Sequence, residues 1–356
     1  MALVRLGQFA VVISALMTHA SSDEIPIRCP KKHQCVPLRR CAVRDAEAFV
    51  YPCHSGLNMV CCPSGSYPNG TTLENRKTSL FPVKCGLVMT ADKISGGKKA
   101  DLGQFPWMAL LGYRQRGIDY TQFLCGGSII TDSYVMTAAH CISLDRRLEL
   151  VLVRLGEHDL LSERDCFKVD AFETCAEPHA DFLIQHVTTH PLYNNENLQN
   201  DIALVKVRRK IGFSDYVKPI CLPFERDLER RDLAKQKLTV SGWGKTNAAN
   251  LGGSTSLQYA VVTVWNHTAC LKSVPPDVRP IQTTQLCANG ASKEDACKGD
   301  SGGPLVNATV DVGGELRYFQ IGIVSFASTL TCGDPNLPTV YTRVDKYLQW
   351  IEESIS

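Results

Sequence analysis

The chain has 356 residues, 44% of them apolar, which is ample for a core and long for one folded domain. A formal charge of +2 does not point to nucleic acid, and beyond the N-terminus no apolar run approaches the ~20 residues of a membrane-spanning helix. Sixteen cysteines, an even number, imply disulfides formed in an oxidising compartment.

Residues 1–20 carry one basic residue, Arg5, then the apolar run Phe9 to Met17 and the ending Thr18-His19-Ala20. That is a short apolar core before small residues, so it reads as a secretory signal peptide cleaved near Ala20 or Ser22. Residues 21–62 hold six crowded cysteines: Cys29, Cys35, Cys41, Cys53, Cys61 and Cys62. So few residues cannot bury a sufficient apolar core, and covalent staples must replace it. Zinc is the weaker reading, because a paired C-x-x-C arrangement is missing and secretion favours oxidation. Spacing alone leaves the pairings open.

Residues 63–93 are rich in Ser, Pro, Gly and Thr without a period, and read as an exposed linker that contains the glycosylation sequon at Asn69. The linker ends at Lys93, before Ile94-Ser95-Gly96-Gly97. Residues 94–356 contain short β-branched and aromatic runs at 107–111, 128–130, 134–137, 150–155, 202–207, 238–241, 320–325 and 340–344, punctuated by Gly, Pro and Asn. Many short strands at such spacing predict an all-β barrel or sandwich. Apolar positions Val344, Tyr347, Leu348 and Ile351 predict an amphipathic C-terminal helix over 341–355. The mixed-charge stretch 225–237 reads as solvated surface.

The chemistry converges on Cys297-Lys298-Gly299-Asp300-Ser301-Gly302-Gly303-Pro304, where a serine sits in a sharp glycine-rich turn. A serine hydroxyl needs a base to take its proton, and the base needs an acid to fix its tautomer. His140, in Thr137-Ala138-Ala139-His140-Cys141, and Asp201, heading the apolar run Ile202-Ala203-Leu204, supply both. Ser301 is thus read as nucleophile, His140 as general base and then acid, and Asp201 as orienter. No cofactor is needed for that chemistry. Between Gly156 and Cys166, Glu157, Asp159, Ser162 and Asp165 interleave with backbone carbonyls in a way that suits calcium as a structural ion. Further sequons lie at Asn266 and Asn307.

The order His140, Asp201, Ser301, with Ser241-Gly242-Trp243-Gly244 and Cys125-Gly126-Gly127-Ser128, resembles the chymotrypsin-like serine proteases over 94–356. The crowded cysteines ending in Cys61-Cys62 resemble the clip domain that precedes arthropod serine proteases. The resemblance implies two antiparallel barrels and the pairs Cys29–Cys61, Cys35–Cys53, Cys41–Cys62, Cys85–Cys221, Cys125–Cys141, Cys270–Cys287 and Cys297–Cys332, which leave Cys166 and Cys175 to close a small loop. It also implies a zymogen cut at Lys93–Ile94. The freed ammonium would be carried inward to pair with Asp300, and the two chains would stay joined through Cys85. The implied oxyanion hole is the N–H groups of Gly299 and Ser301.

Asp295 falls where trypsin-like members hold the base of the primary pocket, with Ser325 on its wall, and implies cleavage after Arg or Lys. Two positions depart from that pattern: Ala327 and Thr339 stand where such members keep glycines. A narrowed pocket with little activity on basic substrates is therefore the second reading. The spacing in 157–165 looks like the family's calcium loop. The family implies secretion into haemolymph, an immune cascade of the melanisation or Toll type, other zymogens as substrates, an upstream activating protease, serpin inhibitors and a monomeric protein. Neither a nucleic-acid nor a membrane partner is expected. A catalytically dead scaffold is disfavoured because all three catalytic residue types remain. A binding role through the clip domain alone would leave function intact in Ser301→Ala. A lipase-like hydrolase lacks its Gly-x-Ser-x-Gly context.

Overall fold

Strands buried on both faces read as near-continuous apolar runs rather than alternating ones, and β5 (Met108–Gln115), whose first six residues are all buried, is of this kind. The computed structural model describes residues 33–37, 51–52, 59–63, 80–88, 98–169, 172–224, 232–245, 252–273, 284–290, 299–310, 315–327 and 337–356. Two units, Met1–Thr72 and Leu73–Ser356, divide the chain. The expected signal peptide, Cys29, Cys41, Cys53, Asn69, Lys93, Ile94, Asp295, Cys297 and Cys332 lie outside the described residues.

In the first unit β1 (His33–Pro37), β3 (Met59–Pro63) and β2 (Tyr51–Pro52) form an antiparallel sheet in that order. Cys35 stands opposite Cys61 in its register.

The second unit begins with β4 (Lys98–Lys99). One closed barrel follows, with neighbours in the order β11 (Ala180–Thr189), β12 (Ala203–Val207), β7 (Tyr134–Thr137), β6 (Thr121–Ile129), β5 and β8 (Leu148–Leu155). Its loop between β8 and β11 carries the hairpin β9 (Cys166–Val169) and β10 (Phe172–Cys175). The other sheet runs β13 (Lys237–Gly242), β16 (Pro304–Val310), β17 (Leu316–Ala327), β18 (Thr339–Arg343), β15 (Gln285–Gly290) and β14 (Gln258–Val264). Pairing of β13 with β14 closes it into a second antiparallel barrel, and β4 adds to the edge of β14.

Ala109, Ile129, Val135, Val153 and Val205 fill the first barrel. Leu238, Val262, Leu305, Ile321 and Tyr341 pack in the second. A further apolar cluster draws on both, with Trp107 and Leu110 from one side and Tyr259, Val306 and Ile323 from the other. Each fully buried side chain of this size is worth about 1.5–3 kcal/mol. Catalytic groups placed on the two barrels are therefore held against each other by the core itself.

One element differs from expectation. The C-terminal helix spans Leu348–Ile355, not 341–355, and buries Leu348 and Ile351. The preceding Thr339–Arg343 is β18, matching the strand run expected at 340–344, and its pairing between β15 and β17 is what pushes the helix start back. The unit boundary at Thr72 falls within the expected linker, and residues 80–88 pack against the rest of the second unit. Phe81 meets the Phe224 ring at 4.8 Å, the Val83 carbonyl accepts from Arg317, and Cys85 is bonded to Cys221. The Gly86 N–H donates to Pro219 while its carbonyl accepts from Tyr318. Among the described residues no helix is long and apolar enough to cross a membrane.

Candidate active site

β7 delivers His140 into a 3-10 turn, His140–Ser143, on the first barrel. Asp201 lies just ahead of β12 and is fully buried. Its Oδ1 accepts the backbone N–H of His140 at 2.8 Å and its Oδ2 lies 2.8 Å from His140 Nδ1. An uncompensated buried carboxylate is costly, and this one is supplied with donors. Ser325 on β17 donates its hydroxyl to Oδ2 at 2.5 Å, and Thr342 on β18 donates to the Asp201 carbonyl at 2.9 Å. The second barrel thereby fixes the acid of the first. A proton held on Nδ1 by the carboxylate leaves Nε2 free as the basic nitrogen.

The serine turn belongs to the second barrel and is tied back to the histidine edge. The Ser301 carbonyl accepts the Gly126 N–H at 2.8 Å, and the Thr137 hydroxyl donates to the Gly126 carbonyl at 2.8 Å. Gly126 adjoins Cys125, which is bonded to Cys141, the residue after His140. Gly302 sits at φ 78°, where a Cβ would lie 2.6 Å from the Gly126 carbonyl oxygen and meet the Thr137 hydroxyl. Gly299 sits at φ 107°, with Gly244 Cα 2.9 Å from where its Cβ would be. Both positions therefore require glycine. The Asp300 Oδ1 accepts the Gly244 N–H at 2.7 Å.

A family model described as Trypsin matches residues 94–351. Phenoloxidase-activating factor 1 of Holotrichia diomphalia is 35% identical over 90% of each chain, and phenoloxidase-activating factor 3 of the same beetle is 32% identical over 100% of this chain and 99% of its own. The solved structure of the Drosophila Grass clip serine protease of the Toll pathway aligns with a TM-score of 0.67 at 32% identity, covering 91% of this chain and 94% of that one. The chain belongs to the clip-domain serine proteases of the trypsin family.

Around that core, the protease's other expected site residues are placed as follows. Ala327 and Thr339 are direct register partners across β17 and β18, with Ala327 exposed and Thr339 buried; Ser325, at the register shift between Val324 and Phe326, is buried too. The described disulfides are Cys85–Cys221, Cys125–Cys141, Cys166–Cys175 and Cys270–Cys287. Asn266 is exposed and caps the helix His267–Ser273, its Oδ1 accepting the Ala269 N–H at 2.8 Å, whereas Asn307 is half-buried on β16 opposite Phe319.

In the 157–165 loop Glu157 is buried, and burial pushes its carboxyl up, with Asp165 adding to the rise against the opposing pull of His179 and Arg154. Asp165 is buried too, accepting from the His158 and Asp159 N–H groups and from the Ser162 hydroxyl at 2.6 Å. The Asp159 side chain turns instead to Ser256 and Lys99. Glu157 and Asp165 are thus two buried carboxylates, with Asp165 adding to the rise at Glu157, and as oxygen donors they are of the kind a hard cation takes. Since Glu157, Asp159 and Asp165 do not bring three oxygens within 4.8 Å of one another, the remaining ligands would be carbonyls.

Two contributors escaped the sequence. Ser325 was legible only as pocket wall, and Thr342 not at all, because their service to Asp201 spans 124 and 141 positions. No local spacing signals such a bond.

Proposed function

We propose that the protein is a secreted zymogen of a serine endopeptidase, switched on by cleavage after Lys93 and cutting other zymogens after Arg or Lys in an extracellular immune cascade. The observation that carries the reading is the buried Asp201 gripping both the N–H and Nδ1 of His140. Ser301 Oγ attacks the scissile carbonyl carbon while His140 Nε2 takes its proton. The carbonyl oxygen becomes an oxyanion facing the Gly299 and Ser301 amides, and the imidazolium then protonates the leaving amine. Water repeats the sequence on the acyl-enzyme and restores Ser301. Calcium, held by Glu157, Asp165 and nearby carbonyls, would supply charge neutralisation in its loop and takes no part in bond-making. The relatives' names support the cascade setting, serpins would be the matching inhibitors, and at least one sequon is expected to carry glycan.

A second reading is favoured by one observation. Ala327 and Thr339 face each other in register, so two added side chains share one stretch of pocket wall. A long basic side chain would then reach Asp295 poorly, and short side chains would be preferred.

The deciding experiment treats the purified zymogen with trypsin-like activators, sequences the new N-terminus and profiles a peptide library. A terminus at Ile94, activity lost in Ser301→Ala, and cleavage after Arg and Lys are the expected results. A different terminus sinks the activation site. Preference for small residues, converted toward Arg by about 10-fold or more in an Ala327→Gly/Thr339→Gly variant, establishes the second reading instead.

A further inference from the structure

The buried indole of Trp243 makes a bond that the reaction does not use. Its Nε1–H donates to the carbonyl of His158 at 3.1 Å. That carbonyl also accepts the Leu257 N–H at 2.8 Å, so one oxygen ties the 157–165 loop to the segments flanking both β13 and β14. Neighbouring Asp159 doubles the tie by accepting the Ser256 hydroxyl at 2.5 Å.

The residue after the indole points the other way along the same path. Gly244 donates its N–H to Asp300 at 2.7 Å, and the carboxylate packs so closely that Gly244 has no room for a Cβ. Ser254 donates its N–H to the carbonyls of both Trp243 and Gly244, at 3.0 and 3.1 Å. Asp300 immediately precedes Ser301. The path from the loop to the nucleophile is therefore unbroken: His158 carbonyl, Trp243 indole, Gly244 amide, Asp300 carboxylate, Ser301.

We infer that Trp243 is a positioning residue for the serine turn: clamped by His158, it holds the Gly244 amide where Asp300 must rest for the Gly299 and Ser301 amides to face the oxyanion. This rests on the reading that Asp300 receives the Ile94 ammonium after cleavage. A carboxylate that must accept an amide and an ammonium together needs its orientation set beforehand. Without the indole bond Asp300 turns away more readily, the ammonium is held less tightly, and it loses its proton at lower pH.

The test is the pH profile of kcat/KM for the cleaved, two-chain Trp243→Phe protein on a peptide amide, with Tm measured beside it. Wild type shows an alkaline limb set by the Ile94 amine. Losing one hydrogen bond shifts the underlying equilibrium by about 3- to 10-fold, which moves the limb down by about 0.5 to 1 pH unit. Trp265→Phe removes an indole N–H that donates to Asn289 at 3.4 Å, outside this path. It lowers Tm and leaves the limb in place. Ser256→Ala, which cuts the second tie, moves the limb in the same direction and keeps the test open should Trp243→Phe fail to fold. A limb at the wild-type position in whichever of the two variants folds, or an equal shift in Trp265→Phe, overturns the inference. Full activity before cleavage overturns the activation reading instead.

Discussion

Asp201 shows what a single residue demands of its surroundings. Its two oxygens serve the His140 N–H, His140 Nδ1 and the Ser325 hydroxyl, so its charge is matched by donors drawn from both barrels. Asp201→Asn keeps the shape but offers the imidazole the wrong partner, and kcat should fall by about 10⁴-fold with KM little changed. Ser325→Ala removes one donor to a buried charge, a loss of about 1.5–3 kcal/mol at most, and should lower kcat by about 10-fold or more. Steady-state kinetics on the activated enzyme checks both. The His140–Asp201 pair was legible because base and acid each announce themselves within a few residues. Ser325 and Thr342 were not, because their role exists only once the barrels meet.

Elements were legible where local chemistry and tertiary fate agree. The run at 134–137 is β7, with Val135 and Thr137 buried on one face of the strand and Met136 on the other. Val344, Tyr347, Leu348 and Ile351 hide a strand-to-helix change, since all are buried whichever element carries them, and the helix start was misplaced for that reason. This helix docks through His190, whose ring meets Tyr347 at 5.3 Å and Trp350 at 5.1 Å and whose Nδ1 accepts the Leu192 N–H at 3.2 Å. Burial holds the His190 pKa below its ordinary value. The unfolded chain then binds the proton first, so stability rises with pH between the depressed folded value and about 6.5, and is lost as pH falls through that window. The His158 imidazole is shifted down the same way, again chiefly by burial. Urea midpoints at pH 5 and 7 should therefore differ in wild type and differ less, though still measurably, in His190→Gln. An unchanged gap would remove His190 from the account.

At the scale of the molecule, the barrels are braced by the 157–165 loop as well as by the core, since Leu160 donates to Thr255 and His158 accepts from Trp243 and Leu257. Calcium should accordingly raise Tm by several degrees, EDTA should reverse it, and Glu157→Gln should abolish the response. A Tm indifferent to both would leave the buried carboxylates as a purely internal network. Strand composition predicted an all-β barrel or sandwich and the family resemblance supplied the two barrels, whereas neither showed the docking of 80–88, because a Ser/Pro/Gly-rich stretch gives no sign that its next few residues will pack.

The bond from Cys85 to Cys221 has a topological result. Residues 89–97 run between one anchor at that bond and another at β4, so a nick anywhere among them opens two ends yet separates nothing. The N-terminal unit therefore remains part of the same covalent molecule as the second unit after such a nick. Whatever surface that unit grips, the scissors arrive with it.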